Sequence, residues 1–385
     1  MKKYEDITVL KAFACFSVFI THWLGAFGSW GSRKVNALME WGPFPIITYG
    51  SFALCVFLMI SGMLMAQKVF RGRFSSWGQE VGKRYLRLLL PIFMTSLLAM
   101  LLFKGGLFYT QQAAACQGNE WLAGYYAALP GWLELIRESL YGTLAEGVSF
   151  FYGPLWMLKY TFFGGFLSVI LAKMFQEMTP AGCAAVSVLL GVIFTWADVY
   201  YLCFLLGTLL AMLLERLEQL QAAGPLTSSC RRRAAAAGAV LLIGGGILLR
   251  KSFVLAAVLS QGGFGYAFGD ALFTSVVVAF AYILTFRLLW MAGLEGRGGI
   301  LRRALLWMGT YSLEIYLTHW LVISSFSCWF YSRFYGQTEK LSIGLNMLLS
   351  LALIFLVSRL YYFVVDGVAY RALWELAGSR FFRKR

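Results

Sequence analysis

The chain has 385 residues, of which 60% are apolar and only 13% charged, and its mean hydropathy is +0.70. A soluble domain of this length is nearer half apolar and a quarter charged, so a water-soluble globule is excluded and a bilayer is the solvent that fits. The formal charge of +15 is spread over short segments between apolar runs, which is a positive-inside pattern and not a nucleic-acid footprint.

Apolar windows of the roughly 20 residues that a spanning helix needs fall near 7–27, 46–67, 86–104, 154–174, 181–196, 199–215, 235–250, 271–291, 304–328 and 342–365. They predict an all-α polytopic membrane protein of about ten transmembrane helices, forming one domain over residues 1–385. The first window has a basic start but no A-x-A site, and reads as a retained span and not a cleaved signal. Only Ala197 and Asp198 separate the fifth and sixth windows, which predicts a tight hairpin. One outer segment, about 105–153, is long and rich in Trp and Tyr, and no internal repeat is visible. The cations gather on one side: Lys2 and Lys3, the six between the second and third windows, Arg231, Arg232 and Arg233, Arg302 and Arg303, and the cluster ending in Arg385. That side is the cytoplasm, and both termini are placed there. The seven Cys are scattered without a C-x-x-C, so neither a metal site nor a disulfide is predicted.

Ionisable groups inside the hydrocarbon region are costly and point to function. Both histidines qualify. His22 falls in the first window and His319 in the ninth, at similar depth in the outer half of the membrane by this topology. Lys11 precedes His22 by eleven residues, within about 20° of three full turns, so the two share one helix face roughly 16 Å apart. A cation near the cytoplasmic mouth and an imidazole deeper in suit a long ligand that enters with its anionic end last. The alternative is that Lys11 snorkels to the inner headgroups. In the ninth window Ser312, Tyr316 and His319 follow at i, i+4, i+7, a polar stripe on one face. Glu314, about 140° around from His319, does not share it. Lys68, Arg71, Arg73, Lys83, Arg84 and Arg87 suit either a multiply phosphorylated ligand or anionic lipid. Lys159 has Asp198, Asp270, Glu314 or an anionic acceptor as candidate partners.

The first window, LKAFACFSVFITHWL, resembles the opening of the acyltransferase family 3 membrane proteins, where a basic residue, ten residues and His recur. VFLMISGMLM with KRYLRLLLP, GPLWMLKYTFF with YYLCFLLGTLLAM, and GTYSLEIYLTHWLV are similar to that family in the same order over nearly the whole chain. The resemblance implies a membrane enzyme that moves an acyl group, commonly acetyl, from cytoplasmic acyl-CoA to a hydroxyl of a cell-surface or lipid-linked glycan. Acyl-CoA is then a donor substrate, with no permanently bound cofactor and no metal. It further implies catalytic roles for His22 and His319, acyl-CoA binding by Lys11, Arg84, Arg87 and Tyr316, and a multi-pass location in the bacterial cytoplasmic membrane. Two positions depart from the family pattern. Lys11 stands where Arg is usual, and meets phosphate as a point charge without the guanidinium fork; Thr8 stands where Asp is common. His22 would act either as general base or as an acylated nucleophile, with His319 or Tyr316 on the thioester oxygen. Trp30, Trp41, Trp121 and Trp132 either stack on sugar rings or form the interfacial belt. The expected partners are acyl-CoA, a glycan or lipid-linked sugar, and membrane lipid, with no nucleic acid. A flippase for a lipid-linked glycan is the competing class, and a sensor or scaffold subunit the third; consumption of acyl-CoA separates them.

Overall fold

The computed structural model describes residues 5–28, 45–222, 271–291, 299–335 and 339–371, with isolated positions between 236 and 247. Among the described residues there is no strand. The helices used below are α1 (Glu5–Phe27), α2 (Gly50–Phe70), α3 (Trp77–Lys104), α4 (Thr110–Gln117), α5 (Met157–Glu177), α6 (Pro180–Ala197), α7 (Val199–Ala222), α8 (Ala271–Met291), α9 (Ile300–Thr310), α10 (Ser312–Val322), α11 (Cys328–Phe334) and α12 (Glu339–Tyr362). Eight of them, α1, α2, α3, α5, α6, α7, α8 and α12, carry a stretch long and apolar enough to cross a membrane. Their open faces are apolar: Val188 and Leu189 on α6 are 69% and 61% exposed, a surface that lipid accepts and water does not.

Most expected windows become these helices within a few residues, although α3 starts nine residues before its window and α7 runs seven beyond its own; two windows fare differently. The span expected at 235–250 lies largely outside the described residues. The span expected at 304–328 is not one helix. It breaks at Tyr311, where φ −97° and ψ 23° leave the helical basin, into α9 and α10. The residues before the break weaken the helix. Gly309 is a poor helix former, and the Thr310 hydroxyl bonds back to Leu306 O at 2.7 Å, a contact that bends helices. Beyond α10 the chain widens into a π-helical turn, Ile323–Ser327, before α11. The α6–α7 hairpin is as tight as expected: Asp198 alone joins the two helices, and its Oδ1 accepts from Tyr200 N at 3.1 Å to cap α7.

Packing gathers the residues into two compact units. The first is drawn from Met1–Val18, Ala37–Phe74 and Phe163–Thr310, the second from Phe19–Asn36, Ser75–Phe162 and Tyr311–Arg385. In the first unit α2 and α7 cross at backbone contact. A Cβ on Gly207 would stand 2.5 Å from Met59 O and 3.0 Å from Met63 N, and one on Gly62 would stand 3.2 Å from the Phe204 Cα. Small residues at a crossing are the usual means of close approach between membrane helices. The same unit holds a chain of ion pairs. Buried Arg287 pairs with buried Asp6 and, at 2.9 Å, with Glu218; Arg71 pairs with Glu215 and, at 2.8 Å, with Glu218. Arg302 pairs with Glu5.

The second unit is tied by polar rungs across apolar faces. Thr318 meets Ser358 at 2.8 Å and Ser327 meets Ser350 at 2.5 Å, while Asn346 donates to Ser327 O at 3.1 Å. The segment 105–153 closes the end of α1. Asn119 Nδ2 donates to Gly25 O at 2.9 Å, and the Gln117 amide donates to Ala26 O. These are carbonyls that the last turn of a helix otherwise leaves without a partner.

Candidate active site

All the residues that gather around the histidines belong to the second unit. Lys11 and His22 both lie on α1, which is unbroken from Glu5 to Phe27, so the three-turn spacing read from the sequence is realised on one helix. His22 Nδ1 and His319 Nε2 are 3.0 Å apart, with ring centroids at 5.0 Å. His319 is buried, and its Nδ1 is 2.7 Å from Tyr316 O and 3.2 Å from Ile315 O. A carbonyl oxygen only accepts, so this nitrogen carries the ring proton. His319 Nε2 then has the lone pair and accepts from His22 Nδ1–H. The basic lone pair of His22 consequently resides on Nε2. The backbone of α10 therefore sets the tautomer of both rings.

Tyr152 holds that backbone. Its hydroxyl donates to Tyr316 O at 2.6 Å and accepts from Trp320 N at 3.3 Å, bridging the two ends of one helical rung of α10, and stands 3.2 Å from His319 Nδ1. The Tyr316 hydroxyl donates to Pro154 O at 2.5 Å, which fixes the short turn Gly153–Trp156 beneath the ring. Tyr316 is thus brought to the histidine pair, with its hydroxyl engaged in holding this turn. Glu314 is no partner of His319, as its position on the helix predicts. Tyr152 was not among the residues singled out from sequence. Its only signal is a run of aromatics before a Gly-Pro pair, FFYGPLW, which reads equally as an interfacial belt.

The remaining candidates lie elsewhere. Lys11 is half-buried in the first unit. Arg84, on α3, donates from Nη2 to Thr161 O near the start of α5, and Arg87, one turn on, is exposed. The stem of Lys159 lies against Gly147, and Asp270 is outside the described residues, as are Trp30 and Trp41. Trp132 sits under the Lys104 ammonium, which is 4.9 Å from the ring centroid.

Aromatic rings continue outward from His22. Trp320 stands 5.5 Å from it, ring centre to ring centre, and is met by Tyr125 at 4.6 Å and Trp121 at 5.3 Å. Burial pushes the Tyr125 phenol above its ordinary pKa, so it stays a neutral donor. Deeper in the outer segment Glu138 is fully buried and accepts from Phe150 N at 2.8 Å. Burial pushes its carboxyl up to about 7. Among the described residues no cluster of His, Cys, Asp and Glu could hold a metal ion.

A family model described as an acyltransferase domain matches residues 4–366, nearly the whole chain. No curated protein and no solved structure matches it.

Proposed function

The chain belongs to acyltransferase family 3, and on that premise we propose that it is a membrane O-acyltransferase that moves an acyl group, acetyl in the simplest case, from cytoplasmic acyl-CoA to a hydroxyl of a cell-surface or lipid-linked glycan. The observation that carries the reading is the His22–His319 pair with its anchored tautomers. The lone pair on His22 Nε2 takes the proton of the acceptor hydroxyl as its oxygen attacks the thioester carbonyl. The positive charge that forms on His22 is stabilised through Nδ1–H by the lone pair of His319. The C–S bond then breaks, and the CoA thiolate recovers the proton from His22. The same lone pair supports the two-step route, in which Nε2 is first acylated and the acceptor then displaces it.

The cation distribution supports a topology with both termini in the cytoplasm, here a bacterial one. Lys11, Arg84 and Arg87 are each proposed to bind acyl-CoA through its phosphates, and Tyr316 to bind it beside His319. The test is the purified full chain with radiolabelled acetyl-CoA and a glycan acceptor. Release of CoA with labelled acceptor, lost in His22→Ala, is expected. A folded His22→Ala protein that transfers at the wild-type rate overturns the mechanism, and glycan movement without any CoA release favours a flippase.

A further inference from the structure

The aromatic rings beside the histidine pair form a second, unassigned feature. Trp320 is 1% exposed, yet its indole Nε1 has no hydrogen-bond partner. A buried donor left unmatched is costly, and this one stands on the ring beside His22. The ring lies between His22 on one side and Tyr125 and Trp121 on the other. Trp121 is 43% exposed, so the three rings lead from the surface of the outer segment to the reacting imidazole.

The placement is built and not incidental. Asn119 and Gln117 bind the last carbonyls of α1, and this seats Trp121 directly on Gly25, where a Cβ would stand 3.3 Å from the indole. Gly25 is three residues past His22, on the same helix face. The absence of a side chain at residue 25 is therefore what lets the Trp121 indole lie on α1, one turn past His22, and against Trp320.

We propose that Trp320, Tyr125 and Trp121 form the acceptor subsite, and that its ligand is a pyranose. The C–H face of the sugar lies on the exposed Trp121 ring and the half-buried Tyr125 ring, and Trp320 Nε1–H donates to an oxygen adjacent to the hydroxyl that His22 deprotonates. A sugar face is apolar at its carbons and rimmed by acceptors, which matches ring faces carrying one inward donor. The assignment rests on His22 as the base, and it makes Trp320 a determinant of acceptor specificity.

The experiment uses the full chain with acetyl-CoA and a panel of methyl glycosides, reading CoA release and acylated glycoside separately. For the glycoside that reacts best, Trp320→Phe keeps the ring and removes the N–H, and is expected to raise its KM about tenfold. Trp121→Ala, at a ring 43% exposed, is expected to raise the same KM severalfold in protein whose melting curve establishes folding, and it carries the test if Trp320→Phe fails to fold. No CoA release by the wild type under any condition refutes the acyltransferase reading itself. Acylation with unchanged glycoside KM in both variants refutes the subsite, and CoA consumption with no glycoside in the panel acylated refutes the pyranose.

Discussion

The hydrogen bond between the two histidines makes a quantitative demand. His319→Ala removes the Nε2 lone pair that accepts from His22 Nδ1–H at 3.0 Å. A hydrogen bond to a group that becomes charged contributes about 1.5–3 kcal/mol, and here the charge exists only once His22 has taken the acceptor's proton. The loss therefore falls on the transition state and corresponds to about 10–150-fold in kcat. The tautomer adds a smaller factor, about twofold where both nitrogens of His22 share the proton equally. His319→Gln fills the volume and presents an amide oxygen toward Nδ1, so it should recover part of the deficit. The assay is CoA thiol release under saturating donor and acceptor, with size-exclusion and melting curves to establish folding. KM for acetyl-CoA should move little, because the charge that this hydrogen bond stabilises is absent from the ground state. A folded His319→Ala protein within twofold of the wild-type kcat refutes the relay. So does a defect confined to KM.

Other consequences follow from the same contacts. Tyr152→Phe keeps the ring but unties the rung between Tyr316 and Trp320, and kcat should fall about tenfold, the worth of one buried hydrogen bond, with the donor KM unchanged. Arg87→Glu reverses a charge at an exposed position and should raise the acetyl-CoA KM, more at low salt than at high salt, as screening requires. Arg287→Gln leaves Asp6 buried and unmatched, a loss of about 3–5 kcal/mol that lowers the melting temperature; adding Asp6→Asn should restore most of it. Glu138→Gln concerns pH. The folded carboxyl titrates at about 7, against an ordinary value of 4.5, so between those two values the folded state holds the proton and the unfolded state does not. Stability therefore falls as pH rises through that window, and the melting-temperature advantage of Glu138→Gln over wild type should be small at pH 5 and widen by pH 8.

The spanning helices were legible because hydropathy is a sum over about 20 residues and tolerates local exceptions. The break at Tyr311 was not, because the window 304–328 is apolar throughout; what interrupts it is the Thr310 back-bond, which no average registers. His22, His319 and Tyr316 could be found because ionisable and hydroxyl groups in apolar runs are few. The tautomers of the two histidines could not, since these depend on which carbonyls lie at 2.7 Å and 3.2 Å from His319 Nδ1. Arg71 shows the opposite limit. It counted as one of six inner cations open to phosphate, but Glu215 and Glu218, far away in sequence, hold it. Charge counting sees the sign of a side chain and not its partner.

The outer segment between α3 and α5 bears on chemistry more than its position as a connection suggests. Two imidazoles on different helices keep a 3.0 Å contact only if the register between those helices is fixed, because a slide of one turn, about 5.4 Å, separates the nitrogens beyond hydrogen-bonding range. Nothing within α1 or α10 alone prevents such a slide, since apolar faces pack acceptably in neighbouring registers. The outer segment supplies the restraint. Gln117 donates to Ala26 O, at the end of α1, and accepts at 3.3 Å from the hydroxyl of Tyr331 on α11. Tyr109 N donates at 3.0 Å to Ser324 O in the π-helical turn that joins α10 to α11. This stretch thus binds the end of α1, α11 and the turn that follows α10, and Tyr152, at its far end, binds α10 itself. The 3.0 Å contact between the imidazoles is held in register by hydrogen bonds from the segment between α3 and α5.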